Sequence, residues 1–143
     1  MNQVKQMSLE DYRLILATAK TIAVVGLSDR SDRPSYGVAA YLQREGYRII
    51  PVNPNISRVL GEKAYASLRD VPEAVDVVDI FRRPEHVPPV VDDAIAIGAK
   101  VVWMQQGIVH EAAAAQAAAA GLTVVMDACM MAIHRHLRAM GKI

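Results

Sequence analysis

Five short blocks of the chain are apolar at both odd and even positions: Thr21–Leu27 (TIAVVGL), Tyr47–Val52 (YRIIPV), Val75–Phe81 (VDVVDIF), Ala99–Met104 (AKVVWM) and Leu122–Met126 (LTVVM). A strand with one wet face alternates apolar and polar residues, whereas a strand covered on both faces does not. These β-branched blocks therefore predict buried strands of a parallel sheet. The segments between them carry helical spacing, and each runs into a glycine. Ser35–Glu45 precedes Gly46, Val87–Ile97 precedes Gly98, His110–Ala120 precedes Gly121, and Ala128–Met140 precedes Gly141. Glycine just past a helix supplies the left-handed residue that ends it. Near the start, Ser8-Leu9-Glu10-Asp11 reads as a variant capping box. Leu9, Tyr12, Ile15, Leu16 and Ala19 then recur on one helical face.

Strands alternating with helices imply right-handed βαβ units. The expected fold class is α/β: a Rossmann-like, five-stranded, mainly parallel sheet with helices on both faces. At 143 residues the chain makes one domain, 1–143. Open sheets of this kind bind ligands beyond the carboxyl ends of the strands, where strand order reverses. The segments after each strand are therefore the places to look for chemistry.

The first such segment runs from Gly26 to Gly37 (GLSDRSDRPSYG). Gly26 suits a tight turn, and the helix that follows offers its positive end to an anion. Ser28 and Ser35 add hydroxyls, and Arg30 and Arg33 add charge. Ser28 stands where the dinucleotide fingerprint G-x-G-x-x-G would have its second glycine, and the loop is longer. The plain alternative is a solvated loop with Ser35 capping the helix, and Asp29 and Asp32 must point away from any phosphate. After the second strand comes Asn53-Pro54-Asn55, where an NAD-binding fold usually has an acid for the ribose. Asparagine favours a different adenosine ligand, or only a turn. Phe81, Arg82 and Arg83 follow the third strand. Because neighbouring strand residues face opposite ways, at most one of the two arginines should touch a ligand. Trp103, Gln105 and Gly107 mark the end of the fourth strand, and Asp127-Ala128-Cys129 the end of the fifth. The lone Trp either lines a pocket or caps the core.

Composition narrows the function. Sixteen Lys and Arg against 15 Asp and Glu leave a net charge of +1, which argues against a nucleic-acid partner. No uncharged apolar run approaches the length of about 18 residues that a membrane helix needs, and the first residues lack a leader-like pattern. One cysteine, Cys129, excludes an internal disulfide and fits a reducing cytoplasm. As a nucleophile Cys129 lacks an evident base. His134 and His136 lie two apart on a helix, which is unsuited to a shared metal. His110-Glu111 fits a helix start better than a catalytic pair.

The segments AVVGLSDRSDRPSYGVAAYLQREGYRIIPVNPN, VDVVDIFRRPE, VVWMQQGI and VMDACM together resemble the small stand-alone CoA-binding proteins of bacteria. These are related to the CoA-binding domain of the succinyl-CoA synthetase α subunit. The resemblance covers nearly the whole chain in order. It implies coenzyme A laid across the strand ends, with Gly26, Ser28, Arg33 and Ser35 around phosphates. It further implies Asn53, Pro54 and Asn55 beside the nucleotide, and Phe81, Arg82 and Arg83 over the ligand further along. Gln105 and Gly107 would approach the pantetheine. Family members commonly carry Arg between the Asp and Cys of the last motif, where this chain has Ala128.

The expected function is a non-catalytic module for coenzyme A or an acyl-CoA, with no catalytic residue and no metal. The synthetase relatives need a further domain and a second subunit, for which 143 residues leave no room. Two alternatives compete: an NAD(P)-binding redox or sensor domain, and a small acyl-CoA-handling enzyme using Cys129. A homodimer or an unidentified protein partner is compatible with each.

Overall fold

The computed structural model describes residues 4–143; Met1–Gln3, part of the stretch read for a leader, lie outside the described residues. Five parallel strands form the central sheet: β1 (Thr21–Val25), β2 (Arg48–Val52), β5 (Val77–Ile80), β6 (Val101–Met104) and β7 (Thr123–Val125). Their order is β2-β1-β5-β6-β7, and every pairing is parallel. The chain steps from β1 outward to β2, then returns past β1 to β5. Strand order therefore reverses between β1 and β5, which places the crevice of an open α/β sheet there.

Among the described residues, five α-helices cover the sheet. Helices α1 (Leu9–Thr18), α2 (Pro34–Arg44) and α5 (Met130–Ala139) share one core, which holds Leu16, Leu42, Met130 and Leu137 against Val24, Ile49, Val77 and Trp103. Helices α3 (Val87–Ala96) and α4 (Glu111–Ala119) cover the other face. Their Val91, Ala94, Ala114 and Ala117 pack on Ala23, Ile50, Val78 and Val102. The strands are buried on both faces because both cores need them, which explains the unalternating apolar blocks. The alanines of α4 are core residues where they face the sheet. No helix among the described residues is long and apolar enough to cross a membrane.

The expected capping box is present: Asp11 N donates to Ser8 Oγ and Ser8 N donates to the Asp11 carboxylate. Hydrogen bonds from Lys5 and Ser8 lower the Asp11 carboxyl to about 2. Observed strands are one to three residues shorter than their apolar blocks. Leu27 and Phe81 continue the hydrophobic pattern into loops, packing on the core without joining a ladder. Helix α5 begins at Met130, two residues late, because Cys129 before it is still extended.

One element has no counterpart in the sequence reading. Strands β3 (Arg58–Val59) and β4 (Glu62–Lys63) form a small antiparallel hairpin. Its two central residues, Leu60 and Gly61, both have positive φ (54° and 76°). Such turns normally advertise themselves with Asn-Gly or Asp-Gly, and leucine gives no such signal.

Gly37 lies inside α2, and a methyl group added there would meet nothing within 4 Å. Gly37→Ala should therefore stabilise the protein by roughly 0.5–1 kcal/mol, the ordinary helix preference for alanine. Chemical denaturation of the two proteins checks this.

Candidate functional site

Each functional side chain reaches the switch point by a definite route. β1 ends at Val25, and Gly26 turns the chain with φ 87° while its N–H donates to Val52 O of β2 (2.8 Å). The loop then closes on itself: Ser28 N donates to Ser35 Oγ (3.0 Å), Arg30 N to Ser28 Oγ (3.1 Å) and Arg33 N to Arg30 O (3.1 Å). Both serine hydroxyls thus accept from the backbone and keep their protons for donation. Helix α2 starts at Pro34 with Arg33 as its flanking residue and no side-chain cap. Ser35 is buried and ties the loop, so it is not the helix cap of the plain alternative.

On the other side of the crevice the chain leaves β5 after Ile80, and Phe81 N donates to Val25 O (2.9 Å) ahead of Arg82. These two loops enclose an open cleft of about 480 Å³. Its wall brings together Gly26, Ser28, Arg33, Ser35, Phe81, Arg82 and Arg83 from the expected set, with Arg30, Pro34, Pro84 and Ile108. Phe81, Pro34, Pro84 and Ile108 supply apolar wall, and Arg30, Arg33, Arg82 and Arg83 supply its charge. Both arginines border the cleft, so both are within its reach. Face alternation holds only within the ladder, and it ends at Ile80.

Electrostatically the cleft is a local concentration of positive charge. Arg30 pairs with Asp32 at 3.2 Å, both well exposed. Among the described residues, Arg33, Arg82 and Arg83 form no ion pair, so their donors are available to an anion. Asp29 and Asp32 do not belong to the cleft wall. The first turn of α2, at Pro34 and Ser35, adds the positive end of a helix dipole.

Five expected residues stand elsewhere. Asn53, Pro54, Asn55, Gln105 and Gly107 are not in the wall of this cleft. Asn53 Nδ2 donates to Leu27 O (3.0 Å), and its Oδ1 accepts from Asn55 N (2.9 Å), so the side chain fastens β2 to the β1 loop. Gln105 is buried and its Oε1 accepts from Met130 N at the start of α5 (3.1 Å). Trp103 does not face a ligand edge. It is fully buried under α1 and α5, 5.6 Å from the Tyr12 ring, with its Nε1 donating to Ala128 O. Cys129 flanks α5 half-buried and is absent from the cleft wall. His110 Nδ1 accepts from Ala113 N (3.0 Å), a helix cap. His134 is buried against Tyr41, whereas His136 is exposed.

Sequence reasoning passes over two residues. Ile108 enters the cleft because the loop after β6 turns back on itself, Ile108 N donating to Gln105 O (2.9 Å). Asp79, within β5, is fully buried, and neither carboxyl oxygen has a hydrogen-bond partner. Burial pushes its carboxyl well above the usual range.

A five-stranded parallel sheet flanked by helices, with an anion-ready cleft at its switch point, defines a Rossmann-like α/β ligand-binding domain. A family model described as "CoA binding domain" matches residues 20–135, and the chain belongs to that family. The chain is 45% identical over 127 residues to the uncharacterized protein YneT of Bacillus subtilis, covering 89% of this chain and 94% of YneT. It is 34% identical over 83 residues to an ADP-forming acetate–CoA ligase of Archaeoglobus fulgidus, covering 57% of this chain and 12% of the ligase. A solved structure of a hypothetical protein from Pyrococcus horikoshii superposes with a TM-score of 0.92 at 40% identity. It covers 96% of this chain and 97% of that one. The sequence reading of both family and fold class agrees with these matches.

Proposed function

We propose that the 143-residue chain acts as a single, non-catalytic domain that binds coenzyme A, free or acylated, in the cleft at the β1/β5 switch point, and that it works in the cytoplasm. The observation that carries this reading is the convergence of Gly26, Ser28, Arg33 and Ser35 with Phe81, Arg82 and Arg83 on one cleft. Coenzyme A carries about three to four negative charges on its 3′-phosphate and diphosphate, since a phosphomonoester alone carries about −1.5 to −2. A protein of net charge +1 can hold such an anion only by gathering its cations, and this cleft gathers four arginines. Planar guanidinium forks suit phosphate oxygens, and the apolar wall suits a base or an aliphatic arm.

The end of β2 supports coenzyme A over NAD. An NAD site needs a carboxylate there for the ribose, and Asn53 supplies an amide already committed to Leu27 O and Asn55 N. The place of Cys129 outside the cleft wall supports binding without thioester chemistry.

Arg33→Ala and Arg83→Ala should each weaken coenzyme A by roughly 10- to 100-fold, the value of one charge-assisted hydrogen bond. Lysine at either position should restore only part of it, lacking the planar fork. Titration calorimetry of the variants decides it; wild-type affinity in both alanine variants would remove the arginines from the site.

A further inference from the structure

One wall of the cleft has a different origin from the rest. Ile108 alone comes from the β6 side, and it is held by a residue that does not touch the cleft. Asp127, just after β7, has φ 55°, a left-handed conformation that residues other than glycine adopt infrequently. In that conformation it makes two reciprocal bonds to the loop after β6. Its carboxylate Oδ1 accepts from Gly107 N at 2.7 Å, and its own N–H donates to Ile108 O at 3.2 Å. The base beneath is firm: Ala128 N donates to Met104 O, Trp103 Nε1 to Ala128 O, and Met130 N to Gln105 Oε1. Trp103, Met104 and Gln105 are all buried.

We infer that Asp127 is a positioning residue for the ligand cleft: it clips the Gly107–Ile108 backbone and thereby sets the Ile108 wall. This rests on the coenzyme A reading for the identity of the ligand, but not for the clip. Gly107, with φ 83°, has no side chain to brace the loop, so the bracing comes from across the sheet end. The acceptor is a carboxylate oxygen at 2.7 Å, and hydrogen bonds to carboxylates are stronger than those between neutral groups. Backbone strain and clip can be separated by substitution. Glycine at 127 keeps the left-handed conformation and removes the acceptor, whereas asparagine keeps both the conformation and an acceptor oxygen.

The test compares Asp127→Gly, Asp127→Asn and Ile108→Ala by titration calorimetry with coenzyme A and by amide hydrogen exchange of the free proteins. Asp127→Gly should bind about three- to tenfold more weakly, the equivalent of one lost hydrogen bond, and asparagine should restore binding to within about twofold. Gly107 exchange should accelerate in the glycine variant only. Adding Asp127→Gly to Ile108→Ala should cost little further affinity, because both remove the same wall. Wild-type affinity in Asp127→Gly, or losses that add in full, would overturn the positioning role. If wild-type protein fails to bind coenzyme A, the ligand reading falls, while unaccelerated Gly107 exchange would separately overturn the clip.

Discussion

Gly26→Ala should destabilise the protein by about 3 kcal/mol or more and abolish binding of coenzyme A. Two independent costs coincide at this position. The left-handed φ of 87° costs a residue with a Cβ roughly 1–2 kcal/mol. A Cβ built there would also lie 2.2 Å from Phe81 O and 3.1 Å from Phe81 C. Both are backbone atoms, so no rotamer change relieves the clash. Relief requires the ends of β1 and β5 to separate, yet Gly26 N is tied to Val52 O and Phe81 N to Val25 O. The same separation would move Ser28 and Arg33 away from Arg82 and Arg83. A melting temperature about 10 °C lower is expected from calorimetry, with no heat on titration of coenzyme A. Wild-type stability in this variant would mean that the two strand ends do not meet as described.

The second large effect concerns Asp79. Its carboxyl sits in the middle of the central strand, between Val24 of β1 and Trp103 of β6, with neither oxygen bonded. The Trp103 N–H is already committed to Ala128 O. Desolvation holds the folded carboxyl in its neutral form, whereas in the unfolded chain it ionises near pH 3.9. Above that pH the unfolded state binds fewer protons than the folded one, so this group's contribution to stability falls as pH rises. The slope is about 1.4 kcal/mol per pH unit while the folded carboxyl stays protonated. Asp79→Asn removes the ionisation and keeps the size. The variant should gain on the wild type as pH rises above the unfolded carboxyl's range, for as long as the folded carboxyl stays protonated. Guanidinium denaturation of both proteins across that rise checks it, and a difference independent of pH would show that Asp79 is solvated or paired.

These residues also mark where the sequence was legible. The five strands were readable because burial on both faces leaves an apolar block with no alternation. Their ends were not, because Leu27 and Phe81 are as apolar as ladder residues yet sit in loops. The hairpin at Leu60-Gly61 escaped because leucine does not advertise a left-handed turn. The loop after β1 and the Phe81–Arg83 segment are legible by position as neighbours, since the strand ends on either side of the switch point face one cleft. The strand-end rule also selects Asn53 and Gln105, which lie outside this cleft wall. Each sits at a strand end, but its amide serves the backbone: Leu27 O and Asn55 N for one, the first N–H of α5 for the other. Trp103, open from its sequence to either a pocket or the core, belongs to the core: it lies within the ladder and faces the α1/α5 core. Ile108 and Asp127 depend on contacts between loops far apart in the chain, which no local pattern encodes.

Every role proposed for the β1/β5 cleft requires coenzyme A to occupy it. Titration calorimetry on wild-type protein stripped of any co-purified small molecule tests this most directly, with NAD as competitor at equal concentration. The expected result is binding of coenzyme A at about tens of micromolar or tighter, undisturbed by NAD. No heat with coenzyme A, or its displacement by NAD, would contradict it.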